Sequence, residues 1–271
     1  MSTLLLPLLV EPGELERQLG QESILVIDLC KPETYIQSHI PGAVHLEYAQ
    51  IVAVNKPVMG LLPDDDQLNE VFSSIGLTPE HHVVAYDDEG GGRASRLLWT
   101  LEAMGHARFS LLNGGLHAWS MERRPLRSGT ESRARSQYRV QRRETVIADK
   151  GYILKQLANP SVVLLDARTA DEYRGSKRFA ERGGHIPGAV NLDWLQTMDR
   201  DRGLRFKPAQ ALRAMLTSLG VTPDKEVVCY CQSHHRSAHS CMMLKSLGYP
   251  RVRGYPGSWS EWGNSPDTPV E

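Results

Sequence analysis

Apolar positions along this chain come in short, dense runs separated by polar turns. Four runs read Ile-Leu-Val-Ile at 24–27, Val-Val-Ala-Tyr at 83–86, Val-Val-Leu-Leu at 162–165 and Val-Val-Cys-Tyr at 227–230. They are rich in β-branched residues and do not alternate with polar ones, as expected of parallel strands buried on both faces. Between them, apolar residues recur at helical spacing. The pattern predicts helices over 96–104 and 238–247, each stopped by a glycine, Gly105 and Gly248. The opening Leu-Leu-Leu-Pro-Leu-Leu-Val at 4–10 is too short to span a bilayer and lacks a basic segment and cleavage site before it. It reads as an edge segment leading into 14–19. Strands alternating with helices predict an α/β fold.

The pattern occurs twice. The run 24–28 followed by Ser-His-Ile-Pro-Gly-Ala-Val at 38–44 is echoed by 162–168 followed by Gly-His-Ile-Pro-Gly-Ala-Val at 184–190. Ser-Ile-Gly-Leu-Thr-Pro at 74–79 precedes the strand at 83–86, and Ser-Leu-Gly-Val-Thr-Pro at 218–223 precedes the one at 227–230. Gly-Gly-Leu-His-Ala-Trp at 114–119 answers Gly-Ser-Trp-Ser-Glu-Trp at 257–262. An internal repeat of this length predicts two similar domains, 1–124 and 145–271. The intervening 125–144, rich in arginine and poor in apolar residues, is the expected linker, a solvated connector.

Composition narrows the function. With 31 Lys and Arg against 32 Asp and Glu, the net charge is −1, so no overall field draws the chain to nucleic acid or a membrane. The four cysteines, Cys30, Cys229, Cys231 and Cys241, show no disulfide spacing.

One of them stands apart. The stretch 227–237 reads Val-Val-Cys-Tyr-Cys-Gln-Ser-His-His-Arg-Ser. Cys231 therefore ends a strand, opens a short polar loop and precedes a helix. Loop amides and a helix N-terminus both favour thiolate over thiol, which at an ordinary value near ~8.5 is only a few per cent ionised at neutral pH. Cys229, inside the strand, and Cys241, in the helix, read as inert core thiols, and Cys30 lacks such a loop. A zinc site from Cys229, Cys231, His234 and His235 would pull Cys229 out of its strand, so no metal is expected. Arg236 opens the helix, placed to hold an anionic donor group. Four residues separate it from Cys231. That is one fewer than in cysteine-dependent phosphatases, and a tighter loop suits a single sulfur rather than a tetrahedral phosphoryl group. His234 and His235 are expected to point outward and lend only their amides. Asp87 takes the place of Cys231 in the first repeat, followed by Asp-Glu-Gly-Gly-Gly, which reads as a degenerate loop.

These residues carry a resemblance. Both His-Ile-Pro-Gly-Ala segments, the Asp-Ala-Arg and Glu-Tyr-Arg-Gly run at 166–175, the cysteine loop and the closing Trp-Gly-Asn-Ser-Pro-Asp-Thr-Pro at 262–269 resemble the tandem-domain sulfurtransferases of the rhodanese family. The resemblance implies two rhodanese-like domains, each a mainly parallel sheet flanked by helices, with the first catalytically inactive. It implies a thiosulfate sulfurtransferase, with 3-mercaptopyruvate as a further donor. Cys231 would be the nucleophile and carry a persulfide, and Gln232, Ser233, His234, His235, Arg236 and Ser237 would form the substrate-binding loop. No cofactor is implied. The expected partners are a small sulfur donor and a thiophilic acceptor such as cyanide, a thiol or a protein. The chain is expected to be a monomer in the cytoplasm, where a thiol stays reduced.

Glu172 departs from the resemblance, since many relatives place an arginine there. A glutamate is expected to repel small anionic donors. Two other functions remain open at this stage: a cysteine phosphatase or arsenate reductase on the same scaffold, and a non-catalytic persulfide carrier. The histidines His39 and His185 occur in both repeats, while only one repeat has the cysteine, so they read as architecture. Asp166 and Arg168 read as a structural ion pair.

Overall fold

A computed structural model describes residues 6–271. The chain forms two compact units, and neither is a single stretch. The first comprises residues up to 51, 63–142 and 199–206; the second comprises 52–62, 143–198 and 207–271.

The first unit is built on a five-stranded parallel sheet ordered Leu9–Val10, Phe109–Leu112, His82–Tyr86, Ile24–Asp28, Val44–His45. Leu9–Val10 is the expected edge segment; Leu4 and Leu5 lie outside the described residues. The second unit has a four-stranded parallel sheet ordered Val252–Gly254, Glu226–Tyr230, Val162–Asp166, Val190–Asn191. The repeat read from the sequence is a repeat of register. Asp28 pairs with Tyr86 in the first sheet and Asp166 with Tyr230 in the second. The next residue along each central strand is Asp87 or Cys231. Parallel sheets place their ligand sites beyond such carboxyl ends.

Helices flank each sheet, and Ile24–Asp28 and His82–Tyr86 are buried at every position, in keeping with their lack of polar alternation. Gly92–Ala103 follows the first central strand and Arg236–Ser246 follows the second. Both stop where expected, at Gly105 (φ 88°) and Gly248 (φ 82°), in the left-handed conformation that ends a helix without a Cβ penalty. Tyr86 and Trp119 sit in the first core; Tyr230, Trp259 and Trp262 sit in the second.

The two histidines of the repeated segment bond to nearby backbone, which suits an architectural part. His39 Nδ1 lies 2.8 Å from the Tyr35 carbonyl and His185 Nδ1 2.9 Å from that of Tyr173, each ring stacked on its tyrosine. The following amides, of Ile40 and Ile186, donate to the hydroxyls of Tyr86 and Tyr230. Each segment thus ties the turn to the end of the central strand.

The arginine-rich stretch is an ordered strap on the first unit up to residue 142. Arg133 reaches the Ile24 carbonyl, Arg135 pairs with Glu70 and Arg142 with Asp65. The amides of Ser136 and Tyr138 donate to Ser73. Its charges are therefore largely spent on the chain itself.

Candidate active site

Tyr230 is the last residue of the central strand, and Arg236 the first of the helix, so 231–235 form the loop between them. Cys231 is 1% exposed. The Ser237 hydroxyl donates to its sulfur at 3.4 Å. Burial pushes the thiol up. The Arg236 charge, the Ser237 hydroxyl and the amides of Ser237 and Ser233 outweigh that and hold it below its ordinary value. Cys229 and Cys30 behave oppositely. Burial and then contact with Cys241 push Cys229 far up, and burial and then the Asp28 carboxylate push Cys30 up. The Cys241 sulfur faces the Arg253 carbonyl at 3.7 Å.

His234 corrects an expectation. Its side chain is fully buried, with Nδ1 2.8 Å from the Ser237 oxygen. Because the Ser237 hydroxyl donates to sulfur, its oxygen accepts, and His234 presents Nδ1–H. A chain of two hydrogen bonds thus runs from His234 through Ser237 to Cys231. The reason the imidazole turns inward is local: His234 has φ +53°, a left-handed conformation that reverses the loop. Its amide does not face the sulfur but donates to Ser258 at 3.1 Å. His235 is half-buried and meets the edge of Trp194, with ring centroids 5.6 Å apart.

The remaining loop residues hold the loop in place. The Gln232 side chain donates to the Phe179 carbonyl at 3.1 Å, and its own carbonyl accepts the Ser260 amide at 3.0 Å. Arg236 is 19% exposed in its side chain and makes a two-point ion pair with Glu172, at 2.7 and 2.8 Å. Arg168 is matched in the same way to Asp166, at 2.6 Å, and its guanidinium lies 4.4 Å from the Trp259 ring centroid.

Two residues escaped the sequence reading. The Ser258 hydroxyl accepts from the amides of both Cys231, at 3.2 Å, and His234, while donating to the Tyr255 carbonyl at 2.7 Å. Gly60 lies in the strand Val58–Leu61, which pairs with Ala53–Asn55 in a hairpin belonging to the second unit. With φ +88°, it lets the hairpin backbone lie against Ser233; a Cβ there would run into the Ser233 carbonyl. The neighbouring Met59 amide donates to Ser260 at 2.9 Å. The repeat held the signal for Ser258, since it aligns with Gly115 in the Gly-Gly-Leu segment.

The first unit shows what the same loop does without a cysteine. The buried Asp87 carboxylate accepts the amides of Glu89 (3.0 Å), Gly91 (2.7 Å) and Ala94 (3.0 Å). Its own side chain fills the cradle. The Leu116 amide donates to the Asp87 carbonyl just as the Trp259 amide donates to that of Cys231.

Among the described residues, no three His, Cys, Asp or Glu side chains are grouped to hold a metal, and no helix is long and apolar enough to cross a membrane.

Comparison with known proteins agrees with this geometry. The Rhodanese-like domain family model matches residues 11–122 and 149–265. A thiosulfate sulfurtransferase of Azotobacter vinelandii is 44% identical over 98% of this chain and 97% of its own length. A Thermus thermophilus protein named sulfur carrier protein TtuD is 34% identical, covering 87% of this chain and 86% of its own. The Tum1 protein of Saccharomyces cerevisiae shares the fold, with a TM-score of 0.86 at 21% identity over 98% of this chain and 99% of its own. A cysteine loop and a carboxylate-filled copy of it, each at the end of a central parallel strand, are thus two versions of one domain, and the chain belongs to the rhodanese family.

Proposed function

We propose that the protein is a thiosulfate sulfurtransferase working through a persulfide on Cys231. The observation that carries this is the convergence of the Ser237 hydroxyl, the amides of Ser233 and Ser237 and the Arg236 charge on one buried sulfur. Such a setting supplies a thiolate at neutral pH. The thiolate attacks the outer sulfur of thiosulfate. The Cys231–sulfur bond forms as the sulfur–sulfur bond of the donor breaks, and its electron pair leaves with sulfite. The resulting Cys231 persulfide carries the negative charge that the thiolate carried, so the same donors hold it. An acceptor, cyanide or a thiol, then attacks the outer sulfur and returns the thiolate. The two half-reactions predict ping-pong kinetics.

The family and the Azotobacter relative support sulfur transfer, and the spacing from Cys231 to Arg236 supports a sulfur-sized target over a phosphoryl group. 3-Mercaptopyruvate is a second donor to test. The name of the Thermus relative supports an alternative in which the persulfide is handed to a specific protein. A reduced thiol suits a reducing compartment, so the cytoplasm is the proposed location.

Mass spectrometry after exposure to thiosulfate tests the proposal. A gain of one sulfur atom is expected in the wild type, removed by cyanide, lost in Cys231→Ala and kept in Cys229→Ser and Cys241→Ser. Turnover retained by Cys231→Ala, or aryl phosphate hydrolysis faster than sulfur transfer, overturns it.

A further inference from the structure

Arg236, the cation that acts on Cys231, is already matched. Glu172 meets both terminal nitrogens of Arg236, at 2.7 and 2.8 Å, with a carboxylate whose side chain is only 3% exposed. A carboxylate held this way takes the two-point edge of the guanidinium, the edge that would otherwise grip a sulfonate. Glu172 is itself fixed. It sits in the first turn of Ala170–Tyr173, where its Oε2 accepts from the Thr169 hydroxyl at 2.9 Å and the Thr169 amide at 3.2 Å in a capping box. The second guanidinium, Arg168, is spent on Asp166 and on the Gly184 carbonyl at 2.7 Å. Two arginines therefore face two carboxylates.

An arginine already paired with a carboxylate treats donors unequally. Thiosulfate carries a second negative charge on the group that leaves. It gains little attraction here, and must displace Glu172 to reach the edge of Arg236. A donor with no charge beyond that on the transferable sulfur has nothing to displace. The Arg236 charge still acts on the Cys231 sulfur, because that effect needs proximity and not a free edge.

We infer that Glu172 is a specificity-determining residue, which reserves Arg236 for the cysteine sulfur and biases the site toward organic persulfides and other sulfane donors that carry no charge beyond the one on the transferable sulfur. This rests on the sulfurtransferase reading and names its donor class.

The test compares thiosulfate with methanethiosulfonate, which offers the same kind of sulfur but leaves a group with one charge fewer. Glu172→Gln keeps the capping oxygen and removes the charge. Its KM for thiosulfate is expected to fall by about 5–10-fold relative to that for methanethiosulfonate, with kcat changing far less. In parallel, the pH profile of Cys231 alkylation is expected to move down, since Arg236 loses its counter-charge. Equal shifts for the two donors, or a higher KM for thiosulfate in a folded variant, overturn the inference. Should Glu172→Gln not fold, Glu172→Asp serves. It keeps the charge but shortens the reach, so a smaller shift in the same direction supports the inference and no shift overturns it. A wild type that transfers sulfur from neither donor would instead sink the sulfurtransferase reading itself, a result distinct from transfer without donor discrimination.

Discussion

The Ser237 hydroxyl points its proton at the Cys231 sulfur while its oxygen takes a hydrogen bond from His234. The serine is oriented from behind, so the sulfur gains a fixed donor with no rotational search. Hydrogen bonds to charged groups contribute about 1.5–3 kcal/mol. Ser237→Ala is expected to raise the midpoint of the pH profile for Cys231 alkylation and to lower kcat/KM for sulfur transfer by roughly tenfold or more. His234→Ala is expected to move both in the same direction but less. Iodoacetamide labelling across pH checks this; an unchanged profile in Ser237→Ala would show that the hydroxyl does not act on the thiolate.

The hairpin glycine offers a cleaner experiment than most active-site changes. Gly42 (φ +79°) has nothing within 4 Å of where a Cβ would stand, whereas Gly60 (φ +88°) has the Ser233 carbonyl. Alanine at either position carries the left-handed backbone penalty, about 1 kcal/mol. Only Gly60→Ala should also displace the cysteine loop. Activity near wild type in Gly42→Ala and a fall of at least about tenfold in Gly60→Ala are expected from steady-state assays. Similar activities in the two variants would remove the hairpin from the account.

Arg168 and Asp166 form a buried pair whose loss should be structural. Arg168→Ala leaves the Asp166 carboxylate buried without its counter-charge, and the expected cost is about 3–5 kcal/mol. Urea denaturation measures it. A loss under about 1 kcal/mol would mean that water or another group replaces the guanidinium.

Acid should weaken the Glu172 contact in a defined window. Burial raises this carboxyl, but the bonds and charge of Arg236, followed by Thr169, hold it at about 2 against an ordinary 4.5. The folded state therefore binds this proton less readily than the unfolded chain. Its contribution to stability is fully present above pH ~4.5 and is lost as pH falls toward about 2. The Tm gap between wild type and Glu172→Gln is expected to hold from pH 7 to about 4.5 and then to close. A gap unchanged down to pH 2.5 would contradict the assignment.

What the sequence disclosed follows chain distance. Cys231, its loop and the helix that follows are contiguous, so a strand-loop-helix pattern locates them without any tertiary information. The repeat adds the rest of the framework, down to the Asp87 replacement. Ser258 reaches the loop from 27 residues away from Cys231, and Met59 is 201 residues from Ser260. No local pattern announces either meeting. Glu172 shows the intermediate case. Its charge was legible and suggested repulsion of the donor, but its partner lies 64 residues on, and a repelling carboxylate turned out to be the holder of Arg236. His234 was misread because a polar residue in a polar loop normally faces water. Its left-handed backbone, which only the folded loop reveals, turns it inward.

The hairpin at 53–61 makes the second unit discontinuous in the gene as well as in the chain. A fragment beginning at the linker would carry Cys231, its loop and every residue that touches the sulfur, yet would leave Ser260 without Met59 and the Ser233 carbonyl without the backbone that lies on it. The first repeat, with Asp87 where the second has Cys231, is therefore not surplus coding sequence. It encodes one wall around the cysteine loop, so truncation, domain shuffling or grafting that treats the two repeats as interchangeable cassettes would cut through the working site.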